Sequence, residues 1–195
     1  MTKAELRKKY LKKRESLSKN EVLSHSEAIF ENFIAQFKMA ENQKIHCFLS
    51  IPEKEEVNTQ LFLNKAFEDR VKVFVPKIFR KKLISVEITS ETPLIKNSWG
   101  IPEPESSEDS GEKSFDFVIT PLLYCDRHGN RVGYGKGYYD GFFENISPDS
   151  VKIGVNFFNP DEEIDDIWEN DIPLDYLITP TAVLSFLGTA SKSTK

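Results

Sequence analysis

Residues 45–75 read IHCFLSIPEKEEVNTQLFLNKAFEDRVKVFV, and the order of patterns within them decides the fold class. Residues 45–49 are a short apolar run, which predicts a buried strand. Residues 58–67 carry no helix breaker and predict a helix, and residues 71–75 return to a β-branched and aromatic strand that Pro76 is expected to stop. Two short apolar strands joined by a crossover helix favour a parallel pair with a right-handed connection.

Working outward, Thr2 with Glu5 and Ser18 with Glu21 each have the spacing of a capping box. They predict a first helix over 4–16, and a second in which Val22, Ile29, Phe30, Phe33, Ile34 and Phe37 recur at helical periods. On the first helix Leu6, Tyr10 and Leu17 form a narrow apolar stripe, with Lys3, Arg7 and Arg14 in a row beside it. Docking the stripe on the body would leave that row at the rim, within reach of a bound anion, and leave Lys8, Lys9 and Lys12 in solvent. Further strands are expected at 83–88, 115–119, 151–157 and 176–179, a helix at about 137–146, and a mobile loop at 102–114, PEPESSEDSGEKS. Alternation of this kind predicts one α/β domain over 1–195, with a mainly parallel central sheet and helices on both faces.

The chain has 195 residues, 15 of them Phe, and a net charge of −5, enough material for one core. No apolar run approaches the roughly 18 residues of a membrane span, and the charged N-terminus lacks a secretory apolar stretch. Cys47 and Cys125 lack the spacing of a metal or disulfide framework. A cytoplasmic protein that is not bound to membranes is expected. Residues 1–19 carry eight Lys or Arg against two Glu, +6, which leaves −11 on the rest. A basic arm of this kind serves either an anionic partner or only solvation. Nucleic acid is not the expected partner, because the acidic remainder would repel a phosphate backbone.

Residues 121–140, PLLYCDRHGNRVGYGKGYYD, follow a predicted strand and open into a predicted helix, the place where open α/β sheets bind ligands. Gly133, Gly135 and Gly137 alternate, which lets backbone N–H groups close on phosphate oxygens, while Arg131 and Lys136 add positive charge. Asp140, one turn beyond Lys136, is a candidate ligand for a divalent metal. The spacing is neither GxGxxG nor a P-loop, so these residues read as an anion loop or as a structural turn with Tyr134, Tyr138 and Tyr139 packed in the core. Asp126, Arg127 and His128 read as a turn.

The string DRHGNRVGYGKGYYD resembles the signature of the 5-formyltetrahydrofolate cyclo-ligase family. Other segments are similar in order: KAELR at 3–7, FLS followed by EEVNT at 55–59, WGIPEP at 99–104 and NDIPLDYLIT at 170–179. The chain departs from the pattern at Gly141, Pro160 and Asn170, where members often carry Arg, Gln and His. The resemblance implies an α/β fold with Rossmann-like layering and a magnesium- and ATP-dependent closure of 5-formyltetrahydrofolate to 5,10-methenyltetrahydrofolate, with ADP and phosphate released. It also implies ATP contacts from Lys3, Arg7, Arg131, Val132, Gly133, Tyr134, Gly135, Lys136, Gly137, Tyr138 and Tyr139, with Lys136 and Arg131 nearest the chemistry. Folate contacts are implied for Leu49, Glu56, Trp99, Tyr134, Gly135, Lys136, Gly137 and Tyr138, and magnesium contacts for Asp140 and Asp171. Small molecules are the expected partners, and a monomer the expected state. The rival is a sensor of the same fold that binds nucleotide or folate without turnover.

Overall fold

The computed structural model describes residues 1–97 and 100–188. Both capping boxes form: α1 spans Lys3–Glu15 and α2 spans Lys19–Gln36, each N-cap hydroxyl accepting from the backbone of the following Glu. β1 (Lys44–Cys47), α3 (Gln60–Glu68) and β2 (Lys72–Phe79) make the predicted unit, with β1 and β2 parallel from Lys44 opposite Lys72 to His46 opposite Phe74. Pro76 does not stop β2. The β1 ladder ends at Phe74, so Pro76 lies where β2 has a partner on one side only, a position that tolerates a missing N–H. β2 then turns back into the antiparallel β3 (Lys82–Ile88).

Two short strands follow, β4 (Leu94–Lys96) and β5 (Pro102–Pro104), which pair with each other. The segment expected to be a mobile loop is therefore partly strand, and it is tethered. The buried Lys77 ammonium donates to the backbone oxygens of Pro104, Glu105 and Ser106 at 2.8 to 3.1 Å, Ser110 N–H bonds Ser85 O, and Glu112 pairs with Lys44. Its polar side chains mostly face solvent, while its backbone carbonyls satisfy the buried Lys77.

The chain next crosses to the other side of β1. β6 (Phe117–Pro121) pairs parallel with β1, a hairpin of β7 (Tyr124–Cys125) and β8 (Arg131–Val132) leads to α4 (Tyr138–Phe143), and β9 (Val151–Val155) pairs parallel with β6. β10 (Tyr176–Ile178) extends the parallel run, and β11 (Val183–Ser185) closes it antiparallel. The seven-stranded order is β11-β10-β9-β6-β1-β2-β3. Because the connections leave β1 in opposite directions, the carboxyl ends of β1 and β6 lie at a topological switch point. α4 is shorter than expected; Asn145 turns its side-chain amide onto Gly141 O, and Ser147 and Pro148 follow.

Helices cover both faces, as the alternation predicts. Ile45, Cys47, Val73, Val75, Ile119 and Ile153 meet Ile29 and Phe33 of α2 and Phe62, Leu63 and Ala66 of α3. Phe74, Val118 and Leu177 meet Phe142 and Phe143 of α4 on the other face. Ile34, placed on the apolar face of α2 by its period, is exposed. The apolar stripe is satisfied by Ile29, Phe33 and Phe37, and Ile34 falls at its edge. Among the described residues no helix is long and apolar enough to cross a membrane.

Candidate active site

The site is assembled by the docking of α1 on the β7–β8 hairpin. Leu6 and Tyr10 of the predicted stripe are buried against Leu123, Tyr124, Val132 and Ile164, with the Tyr10 and Tyr124 rings stacked at 4.2 Å. Tyr10 Oη donates to Glu162 Oε1 at 2.7 Å and Tyr124 Oη to Glu162 O at 2.8 Å, so both polar tips are paired as their rings are buried. The hairpin turn is tied by Asp126, whose buried carboxylate accepts from His128 N, Asn130 N and Asn130 Nδ2, each at 2.9 Å. A side chain at Gly129, φ +85°, would put its Cβ 2.8 Å from Leu174 O. The predicted turn is thus structural, and it fixes where the glycine segment begins.

With α1 seated, Arg7 reaches the loop that the sequence singles out, and Lys3 reaches the segment before β10. Arg7 Nε donates to Gly133 O at 2.8 Å, and its guanidinium lies where a Cβ at Gly135 would approach to 3.3 Å. Gly135 also takes a φ of +84°, a left-handed conformation that a side chain strains. Lys3 pairs with the Asp171 carboxylate, which also accepts from Trp168 N at 2.6 Å. Arg14, expected at the rim, is instead 5% exposed. Its Nη2 donates to Tyr134 Oη at 2.5 Å, and Tyr134 Oη donates to Glu56 Oε1 at 2.6 Å. Burial and the neighbouring Glu56 hold the Tyr134 phenol protonated well above its ordinary range, with Arg14 opposing.

Arg131 is buried between Asp140, with which it pairs, and Ile172 O, to which it donates. Burial lowers its pKa and Asp140 raises it, so the carboxylate is what keeps a charge tolerable there. Ile172 N also reaches Asp140 Oδ1 at 3.5 Å, bringing the loop before β10, and with it Asp171, to the glycine segment. Lys136 is exposed, and among the described residues it has no hydrogen-bond or ion-pair partner. Tyr139 is the opposite: its hydroxyl is buried without a partner, and burial raises its pKa, with Cys47 and Glu56 acting in the same direction.

The remaining expected residues divide. Glu56 stands at the carboxyl end of β1 with its Oε2 accepting from Ile51 N at 2.9 Å. Leu49 packs in the core beside that strand end, and Val132 is fully buried against α1 with its backbone oxygen accepting from Leu123 N at 2.8 Å. Gly137 takes φ +68°, and Tyr138 opens α4 half-buried. Trp99 lies outside the described residues. Arg14 comes to the site from the row that its helical spacing from Lys3 and Arg7 predicts, but buried rather than at the rim. Asn156, just past β9, is a residue that sequence reasoning did not place there, and it carried no signal.

Against known proteins, the 5-formyltetrahydrofolate cyclo-ligase family profile matches residues 1–180. The chain belongs to this family. A nematode relative, "Probable 5-formyltetrahydrofolate cyclo-ligase" of Caenorhabditis elegans, is 30% identical over 138 residues, 65% of each chain. The 5-formyltetrahydrofolate cyclo-ligase of Mus musculus is 29% identical over 66% of this chain and 67% of its own. Among solved structures, the 5,10-methenyltetrahydrofolate synthetase of Aquifex aeolicus superposes with a TM-score of 0.81 at 28% identity, covering 100% of this chain and 97% of that one. The mostly parallel sheet with helices on both faces is thus shared with a cyclo-ligase family structure. The departures from the family pattern lie outside the glycine loop itself: Gly141 and Asn170 are exposed, and Pro160 follows β9.

The donor set fits a magnesium ion delivered with a nucleotide rather than one caged by protein. Among the described residues no three His, Cys, Asp or Glu side chains cluster as a metal site. Asp140 and Asp171 offer one carboxylate each beside the loop, and magnesium is commonly held by one or two carboxylates plus phosphates.

Proposed function

We propose that the protein closes 5-formyltetrahydrofolate to 5,10-methenyltetrahydrofolate at the expense of ATP. The observation that carries this reading is one glycine loop that Arg7 contacts and that carries Lys136, without a partner among the described residues, flanked by the Arg131–Asp140 and Lys3–Asp171 pairs and beside Glu56 at the carboxyl end of β1. Cations and backbone donors at the loop suit a triphosphate. A carboxylate at the strand end suits the N–H donors of a pterin.

The formyl oxygen is a poor leaving group. Its attack on the γ-phosphorus breaks the bond to ADP and forms a formyl group phosphorylated on its oxygen, whose carbon N10 then attacks. Phosphate leaves with the former formyl oxygen, and N10 gives up its proton. Such a sequence needs positioning and charge stabilisation more than a nucleophilic side chain. Lys136, with no competing partner, is the cation free to follow charge as it moves to the transferred group. Arg131 and Lys3, now balanced by Asp140 and Asp171, are the cations for which the triphosphate competes. Magnesium, when bound, supplies charge neutralisation on the phosphates, and Asp140 and Asp171 are the residues that would hold it. Tyr134, between Arg14 and Glu56, separates the folate side from the phosphate side. The protein acts on these small molecules as a cytoplasmic monomer.

The test is product formation, followed by the near-ultraviolet absorbance of methenyltetrahydrofolate together with ADP release. Both should appear only with ATP, magnesium and 5-formyltetrahydrofolate present. Product formed equally well without ATP would reject the ligase reading, and tight binding of both substrates without ADP release would establish the sensor instead.

A further inference from the structure

At the carboxyl ends of β1, β6 and β9, a cavity of about 10 Å³ is walled by Phe48, Val57, Leu122 and Val155 and by three polar side chains, Arg14, Glu56 and Asn156. Its volume admits roughly one water-sized group. Arg14 is 5% exposed and Asn156 3%. Arg14 Nε and Asn156 Nδ2 are buried with no hydrogen-bond partner among the described residues, and both are donors. An unmet buried donor is expensive, so a pair of them beside one cavity calls for an acceptor oxygen.

We infer that this cavity is an oxygen subsite, in which Arg14 and Asn156 donate to the 4-oxo group of the substrate pterin beside the Glu56 carboxylate. The inference rests on the folate reading above and adds to it the residue that selects the ring edge. The formyl oxygen is excluded by size, since a one-atom cavity has no room for the phosphoryl group that oxygen must take. A glutamate carboxylate is excluded by charge and hydration, because the chamber cannot hold the water such a group brings. The 4-oxo group lies at the end of the molecule next to the N3–H donor. Glu56, whose oxygens accept from Tyr134 and Ile51, keeps lone pairs for that donor. An acceptor-seeking pair beside a carboxylate is thus the complement of a lactam edge.

The experiment measures calorimetric binding, without ATP, of 5-formyltetrahydrofolate and of its counterpart in which a 4-amino group replaces the 4-oxo group. Wild type should prefer the 4-oxo compound by tenfold or more, because the replacement sets donor against donor. Asn156→Leu, similar in volume but without polar atoms, should weaken the 4-oxo compound about tenfold and change the 4-amino compound less than about twofold. Asn156→Ala, which only truncates, should move the ratio in the same direction by less, and serves if the Leu variant does not fold. Equal weakening of both compounds, or no change in either, would overturn the subsite and leave a water as its occupant. Wild type binding neither compound would reject the folate reading and this inference with it, an outcome distinct from an unchanged ratio.

Discussion

Ile45 and Cys47 of β1, Val73 and Val75 of β2, and Phe117 and Ile119 of β6 are buried in apolar surroundings, and the ladders consume the backbone groups between them. At the carboxyl edge of the same sheet, Arg14 of α1, Tyr139 of α4 and Asn156 just past β9 each bury a polar atom that no group among the described residues satisfies. The sheet interior thus minimises unmet polarity, whereas its carboxyl edge accumulates it. An unmet donor costs about 1–3 kcal/mol, so three at one edge are a sacrifice of stability where a ligand can recover it. One side chain breaks the division from within. His46 in β1 is fully buried between the Phe115 and Phe142 rings, with neither ring nitrogen hydrogen-bonded.

The largest expected effect comes from removing that exception. Burial pushes the His46 pKa down from 6.5 to about 3. The imidazole is therefore neutral in the fold, and below pH 6.5 the unfolded chain binds a proton that the native chain does not. Stability is lost as the pH falls from about 6.5 toward 3, on the order of 3 kcal/mol between pH 7 and pH 4. His46→Phe, matched to its aromatic neighbours, should remove that part of the acid lability and leave catalysis unchanged. Denaturant midpoints at the two pH values check it, and a variant with the slope of the wild type would show that His46 does not distinguish the interior.

The next effect lies wholly on the edge. Lys136→Ala should reduce turnover roughly 10²-fold, the scale of losing one electrostatic contact to charge developing in the transition state, with little change in folate binding. Its side chain touches nothing that holds the fold, so the melting temperature should stay within about 1 °C of wild type. Single-turnover rates at saturating ATP and folate decide the matter, and an unchanged rate would deny the loop its chemistry.

The two regions also differ in how far they could be read from sequence. The interior was legible because its rules are local. Capping boxes at Thr2 and Ser18, helical periods through Ile29 and Phe33, and apolar runs at β1 and β2 each follow from neighbours a few residues apart. What escaped was short or conditional on pairing: β4, β5, β7, β8 and β11 have two or three residues each, too few for a period, and the passage of β2 through Pro76 depends on where β1 ends. At the edge, the glycine segment was legible by its spacing and by its resemblance to a family signature. Of the polar residues that converge from elsewhere, Arg14 was legible by its helical spacing but not in its burial. Asn156 falls inside the strand expected over 151–157, and its position beside Arg14 and Glu56 exists only once α1 has docked.

The smallest expected effect tests whether that docking places particular contacts or merely gathers charge. Arg7 and Lys8 are adjacent and equally cationic, but α1 turns Arg7 onto Gly133 O and leaves Lys8 exposed. If placement matters, Arg7→Ala should raise the Michaelis constant for ATP roughly tenfold, the worth of one charge-assisted contact, while Lys8→Ala stays within about twofold of wild type. General attraction between a basic helix and a triphosphate would instead make the two variants alike, and raising the salt concentration would erase both effects together. A placed contact resists salt better because its partners are partly buried. Steady-state kinetics of both variants at low and at physiological ionic strength separates the cases. Equal shifts in the two variants, abolished by salt, would reduce α1 from part of the edge's machinery to a solvated arm.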